Sequence, residues 1–180
     1  TDSMAYGYQG FLKKKIDLAP LGVERGADRA GYFCTPQGAS IIGWAGVDGI
    51  HYCFIRGFGE MVFAVSPANA APDYVHPLAR NFDDFLRLLL ACGDAAALEQ
   101  AWMWDRRQFE TFLRENPPTQ AGAAVLSELS GRLKLEPMAD PWQYIKGVQA
   151  SFDFSKITDT RDAGCSGTGG GAQARACAWK

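Results

Sequence analysis

Two histidines in 180 residues leave little material for imidazole chemistry, and no basic block, long apolar run or paired-cysteine motif makes up for them. Lysine and arginine total 18 against 20 acidic residues, giving a net charge of −2. The isoelectric point is near 5.7. A chain so balanced offers no basic face to a phosphate backbone, so nucleic acid is not an expected partner. No stretch of about 18 apolar residues occurs, so no spanning helix and no membrane partner are expected. The start, Thr1-Asp2-Ser3-Met4, is not the charged-then-apolar opening of a signal peptide. Cys-x-x-Cys is missing, which leaves a zinc ribbon or dithiol centre unsupported. Gly-x-Ser-x-Gly and His-Glu-x-x-His are also missing. Neither a cofactor nor a metal is called for.

What is present is a folding composition: 47% hydrophobic and 12% aromatic residues. Five cysteines, Cys34, Cys53, Cys92, Cys165 and Cys177, are an odd set and a poor disulfide framework. The first three sit among apolar neighbours, as buried reduced cysteines do. Together with the start, this reads as a cytoplasmic protein.

The chain changes character twice. Residues 1–77 mix glycine with aromatic and β-branched residues, residues 78–157 are rich in Leu, Ala, Arg, Gln and Glu, and residues 158–180 hold almost no large apolar side chain. Strands followed by helices give an α+β domain over 1–157, an N-terminal antiparallel sheet covered by C-terminal helices. The 158–180 tail cannot build a core, and its abrupt composition suggests an altered reading frame, a truncated neighbour or a cloning scar. Its glycines lack the Gly-Lys-Ser/Thr ending of a phosphate loop.

Three strands are predicted, at 40–44, 50–55 and 60–65, with a weaker one over 31–35. Gly46-Val47-Asp48-Gly49 and Arg56-Gly57-Phe58-Gly59 suit the turns of a meander. Alternation puts His51, Cys53 and Ile55 on one face and Ile50, Tyr52 and Phe54 on the other. Helices are predicted from their caps: Asn81 before Phe82, Phe85, Leu86, Leu89 and Leu90, with Gly93 closing; Asp94 before Ala97, Leu98, Ala101 and Trp102; an Asp105–Gln108 capping box before Phe109; Thr119 before Val125 and Leu129; and Asp140-Pro141 before Ile145 and Val148. The aromatic segment 6–12 ends in Lys13-Lys14-Lys15, which reads as a solvated face.

Chemistry-bearing residues each have a bland reading that outweighs the sharp one. A Cys53–His51 nucleophile pair would share a strand face, but side chains two apart there stand roughly 7 Å apart, too far for proton relay. Cys34, His51, Cys53 and Cys92 could supply soft metal ligands, yet nothing in their spacing makes them converge. His76 precedes Pro77 and reads as a strand-to-helix connector. Asp83 and Asp84 suit helix capping better than acid–base work. Trp102 and Trp104 point to different helix faces, so at most one packs inward; core or interhelical packing is the favoured reading, and an exposed Trp would favour a protein interface.

Two segments resemble a known family. They are Trp44-Ala45-Gly46-Val47-Asp48-Gly49-Ile50-His51-Tyr52-Cys53-Phe54, with the strand 61–65 after it, and Val75-His76-Pro77-Leu78-Ala79-Arg80-Asn81-Phe82-Asp83-Asp84-Phe85-Leu86. Over residues 40–90 the pattern is similar to the SUKH superfamily, in which a final strand leads into an Ala-x-Ser/Asn-Phe-x-x-Phe-Leu helix. The resemblance implies a twisted, mostly antiparallel sheet flanked by helices. Its implied role is an immunity protein that binds a toxin domain.

The resulting expectation is a non-enzymatic protein-binding module whose partner surface lies on the sheet at Trp44, Asp48, His51, Tyr52, Arg56 and Glu60. The alternatives are a small Cys/His hydrolase or transferase, and a structural subunit that docks through Trp102-Met103-Trp104.

Overall fold

The computed structural model describes residues 7–25, 34–45, 49–67 and 74–157. The predicted 158–180 tail and Asp48 therefore lie outside the described residues. Strands β1 (Ala39–Ala45), β2 (Ile50–Ile55), β3 (Val62–Val65) and β4 (Val75–Ala79) form one antiparallel sheet in chain order. Helices α2 (Phe82–Cys92), α3 (Ala96–Gln100), α4 (Arg106–Glu115), α5 (Gln120–Leu133) and α6 (Pro141–Ser151) follow. The architecture is α+β, with the sheet first and the helices packed on it.

Trp44 pairs with His51 across β1 and β2, beyond a bulge between Ile41 and Gly43. Tyr52 pairs with Ala64, and Ala64 with His76. His76 and Pro77 thus belong to a fourth strand rather than to a connector. Pro77 has no N–H to give a ladder, and an outer strand tolerates that loss. Of the weaker predicted strand, residues 31–33 lie outside the described residues, and Cys34 and Thr35 are not in a strand.

A helix not foreseen in the sequence opens the fold, α1 (Gly7–Lys14). Tyr8, Phe11 and Leu12 share one side of it at helical spacing. The Tyr8 ring meets Phe54 and Phe82 edge-on, with centroids 5.1 and 5.0 Å away. The first amides of α1 are satisfied from elsewhere in the chain. Gly7 N–H donates to Asp83 Oδ1 at 3.1 Å, and Tyr8 N–H donates to Glu60 Oε1 at 3.0 Å. Two carboxylates thus stand at the positive end of the helix dipole.

Four of the later helices begin where their caps predict, whereas α3 starts after Ala95, with Asp94 Oδ1 accepting from the Ala96 N–H at 2.7 Å, and ends at Gln100, which leaves Ala101 and Trp102 in a turn. Asn81, Asp105, Thr119 and Asp140 accept from backbone N–H groups at the starts of α2, α4, α5 and α6, and the Asp105–Gln108 box is complete. Gly93 closes α2 at φ 78°, and its Cβ position lies 2.8 Å from Pro118, so geometry and space both call for glycine.

The sheet is covered on both faces. One face carries Ile42, Tyr52, Val62, Ala64 and Leu78 into the main core with α1, α2 and the other helices. The other carries Cys53, Ile55, Phe63, Val65 and Val75 into a second, smaller cluster, closed by Cys34, Phe58, Phe152 and Ile157. A sheet whose second face stays open, as the partner-binding expectation required, is not what forms.

Candidate functional site

Five of the six sequence-predicted contact residues are described, and three of them are interior. Trp44, His51 and Tyr52 are essentially without exposed surface. The expected partner surface at these three is corrected to interior packing: Tyr52 faces the main core under the helices, and His51, on the opposite face, is met by the Thr35 hydroxyl and the Trp44 ring. Arg56 is exposed at the β2–β3 turn, and half-buried Glu60 caps α1.

His51 is held as a neutral ring. Its Nδ1–H donates to the Gly49 carbonyl at 2.8 Å, which leaves Nε2 to accept from the Thr35 hydroxyl at 2.9 Å. Burial lowers its pKa below the ordinary histidine value, and the Gly49 hydrogen bond opposes this only in part. The Trp44 ring lies against it, centroid to centroid 4.7 Å. Both ring nitrogens are engaged, so this histidine is tied into the structure rather than poised as a base.

The thiols are also in the interior. Burial, with the nearby Cys34 adding to it, pushes Cys53 up to about 12, and burial does the same for Cys92. Such thiols stay protonated at neutral pH and are weak nucleophiles. Among the described residues, no three His, Cys, Asp or Glu side chains come together to hold a metal ion. Tyr52 donates its hydroxyl to the Ala95 carbonyl at 3.3 Å and so ties the sheet to the turn after α2. Burial and then the charges of Glu99 and Asp94 raise its pKa.

A different surface has the character of a contact site. It runs along the outer side of β4 and the α3–α4 connection. The His76 ring stacks on Trp102 at 4.2 Å with the planes 9° apart, and Phe154 meets the same ring at 6.3 Å. Phe154 is 46% exposed, and Met103, next to Trp102, is 52% exposed. The chain leaving α6 carries Phe152 onto Phe63 and Phe58 and Phe154 onto His76. One strip of rings thus joins the β4 edge to the second sheet face.

The backbone beneath this strip is fixed. Lys146 Nζ donates to the Trp102 carbonyl at 2.8 Å, and Trp142 Nε1 donates to the Trp104 carbonyl at 3.1 Å, which pins the 102–104 connection to α6. Arg106 binds both Asp140 oxygens, at 3.2 and 2.9 Å, and lies over the Trp142 ring at 4.8 Å. That pairing holds the Asp140 carboxyl below its usual range. Sequence reasoning found Trp102 but missed Phe154. Two phenylalanines at i and i+2 after the end of an amphipathic helix were the available signal.

No protein-family model, curated protein or solved structure matches the chain. The functional reading therefore rests on the chain's own residues. Among the described residues, no helix is long and apolar enough to cross a membrane.

Proposed function

We propose that this chain is a non-enzymatic protein-binding module that engages its partner through the strip formed by Trp102, Met103, His76 and Phe154. The observation that carries the reading is the exposure of two large apolar side chains, Met103 and Phe154, beside a stacked ring pair on a pinned backbone. Aromatic residues and methionine are enriched in interfaces, and Met adapts its shape to a partner. A surface already ordered before contact avoids part of the entropy cost of binding. The resemblance to SUKH domains narrows the partner to a toxin domain, with this chain as the immunity protein.

The test uses the purified chain and a toxin domain encoded beside its gene. A complex is expected in size-exclusion chromatography. M103D and F154D together should weaken it by at least about tenfold while leaving the thermal midpoint unchanged. Unaltered affinity in the double variant overturns the assigned surface, and no complex overturns the immunity reading. The structural-subunit reading draws on the same Trp102–Met103 exposure. Sedimentation separates the two, because a subunit docked on copies of itself sediments as an oligomer that M103D dissociates.

A further inference from the structure

Away from that strip, a cleft of about 250 Å³ opens between α1, the segment after it and β1. Its inner wall is formed by Phe11, Ile16, Leu18, Val23 and Ile42, each of which shows only 4–7% of its surface, the cleft side included. Its mouth is charged, with Lys15, Asp17 and Arg25, all exposed. The wall at Val23 is firmly built. Glu24 exchanges two backbone hydrogen bonds with Trp44, at 2.8 and 2.7 Å, laying this segment along the outer edge of β1. The close approach requires glycine at position 43, where a Cβ would stand 2.5 Å from Val23 Cγ1.

The charges at the mouth do not cancel. Two cations, Lys15 and Arg25, stand against the single carboxylate of Asp17, one oxygen of which accepts the Ala19 N–H at 3.0 Å. Lys15 is moreover held at φ 54°, in the left-handed region where glycine is usual, as the residue that ends α1. That conformation fixes its backbone at the edge of the opening. The volume corresponds to roughly eight water molecules at about 30 Å³ each, enough for a ligand on the order of ten non-hydrogen atoms.

From this juxtaposition we propose that the cleft binds a small monoanion with an apolar body, of the class of a medium-chain or aryl carboxylate. The tail occupies the Phe11–Ile16–Leu18–Val23–Ile42 interior, and the carboxylate lies between Lys15 and Arg25. The inference is independent of the protein-binding strip, because the two surfaces share no residue.

Octanoate, octylammonium and octanol are the probes, titrated into the full 15N-labelled chain and followed by amide chemical shifts. Octanoate should saturate, with shifts confined to residues 8–18, 23–25 and 42, and should bind at least about tenfold more tightly than octylammonium. Lys15→Glu with Arg25→Glu should abolish the preference for octanoate over octylammonium while octanol binds as before. Both positions are exposed, so the fold survives the change. Leu12→Trp, at a half-buried lining position, should block all three probes. Equal affinity for the anion and the cation overturns the proposal. So does octanoate binding that Leu12→Trp leaves intact, or the lack of saturation below the micellar concentration of octanoate.

Discussion

His51 shows how one side chain in a strand settles between chemistry and structure. Its two nitrogens meet a carbonyl and a hydroxyl in the interior, and burial disfavours the charged ring. The unfolded chain therefore binds more protons than the folded one below about pH 6.5, down to the lowered folded value. The stability that the neutral ring contributes is whole above that pH and is lost as pH falls through the window. Urea midpoints measured from pH 7.5 to 5 should decline, and the decline should be shallower in His51→Gln. Removal of the ring in His51→Ala takes away its bonds to the Gly49 carbonyl and the Thr35 hydroxyl and should cost about 1–3 kcal/mol at pH 7.5. An unchanged midpoint there would mean that neither hydrogen bond contributes.

At the scale of elements, the caps explain why some boundaries were legible and one helix was not. Asn81, Asp105, Thr119 and Asp140 act on amides two or three residues ahead, so the local sequence contains both partners. Among the described residues, the first amides of α1 find their partners far away in the chain. They are met by Glu60 and Asp83, 52 and 76 residues away. Glu60→Gln and Asp83→Asn should each weaken this end by about 0.3–1 kcal/mol through the lost charge at the helix N-terminus. Hydrogen exchange should quicken at the amides of Phe11 and Leu12 while those of α5 remain as slow as in the parent. Equal acceleration in both helices would point to global loss rather than loss of a cap.

For the molecule as a whole, the decisive feature is a sheet closed from both sides. The main core is what an amphipathic helical half provides. The second cluster depends on Phe152 and Ile157 returning after α6 to Phe63, Phe58 and Val75. Phe152→Ala should cost about 1–3 kcal/mol, less than a fully buried Phe because Phe152 is only half-buried. The same substitution should uncover Phe63 and raise the binding of a dye that reports exposed apolar surface. A stability equal to the parent would mean that the second face is held by other residues.

The sequence by itself determined β1 to β3, the β2–β3 turn and the starts of α2, α4, α5 and α6, because periodicity and capping act over a few residues. It also marked Trp102 as a residue with two possible uses. Tertiary structure decided which side of the sheet reaches water. Alternation assigns Trp44, His51 and Tyr52 to faces, but only the return of residues 34–35 and 152–157 buries the outer face. Long-range packing likewise turned Glu60 from a contact candidate into a cap and brought Phe154 to His76. Such pairings depend on where distant segments come to rest, and local patterns carry no record of that.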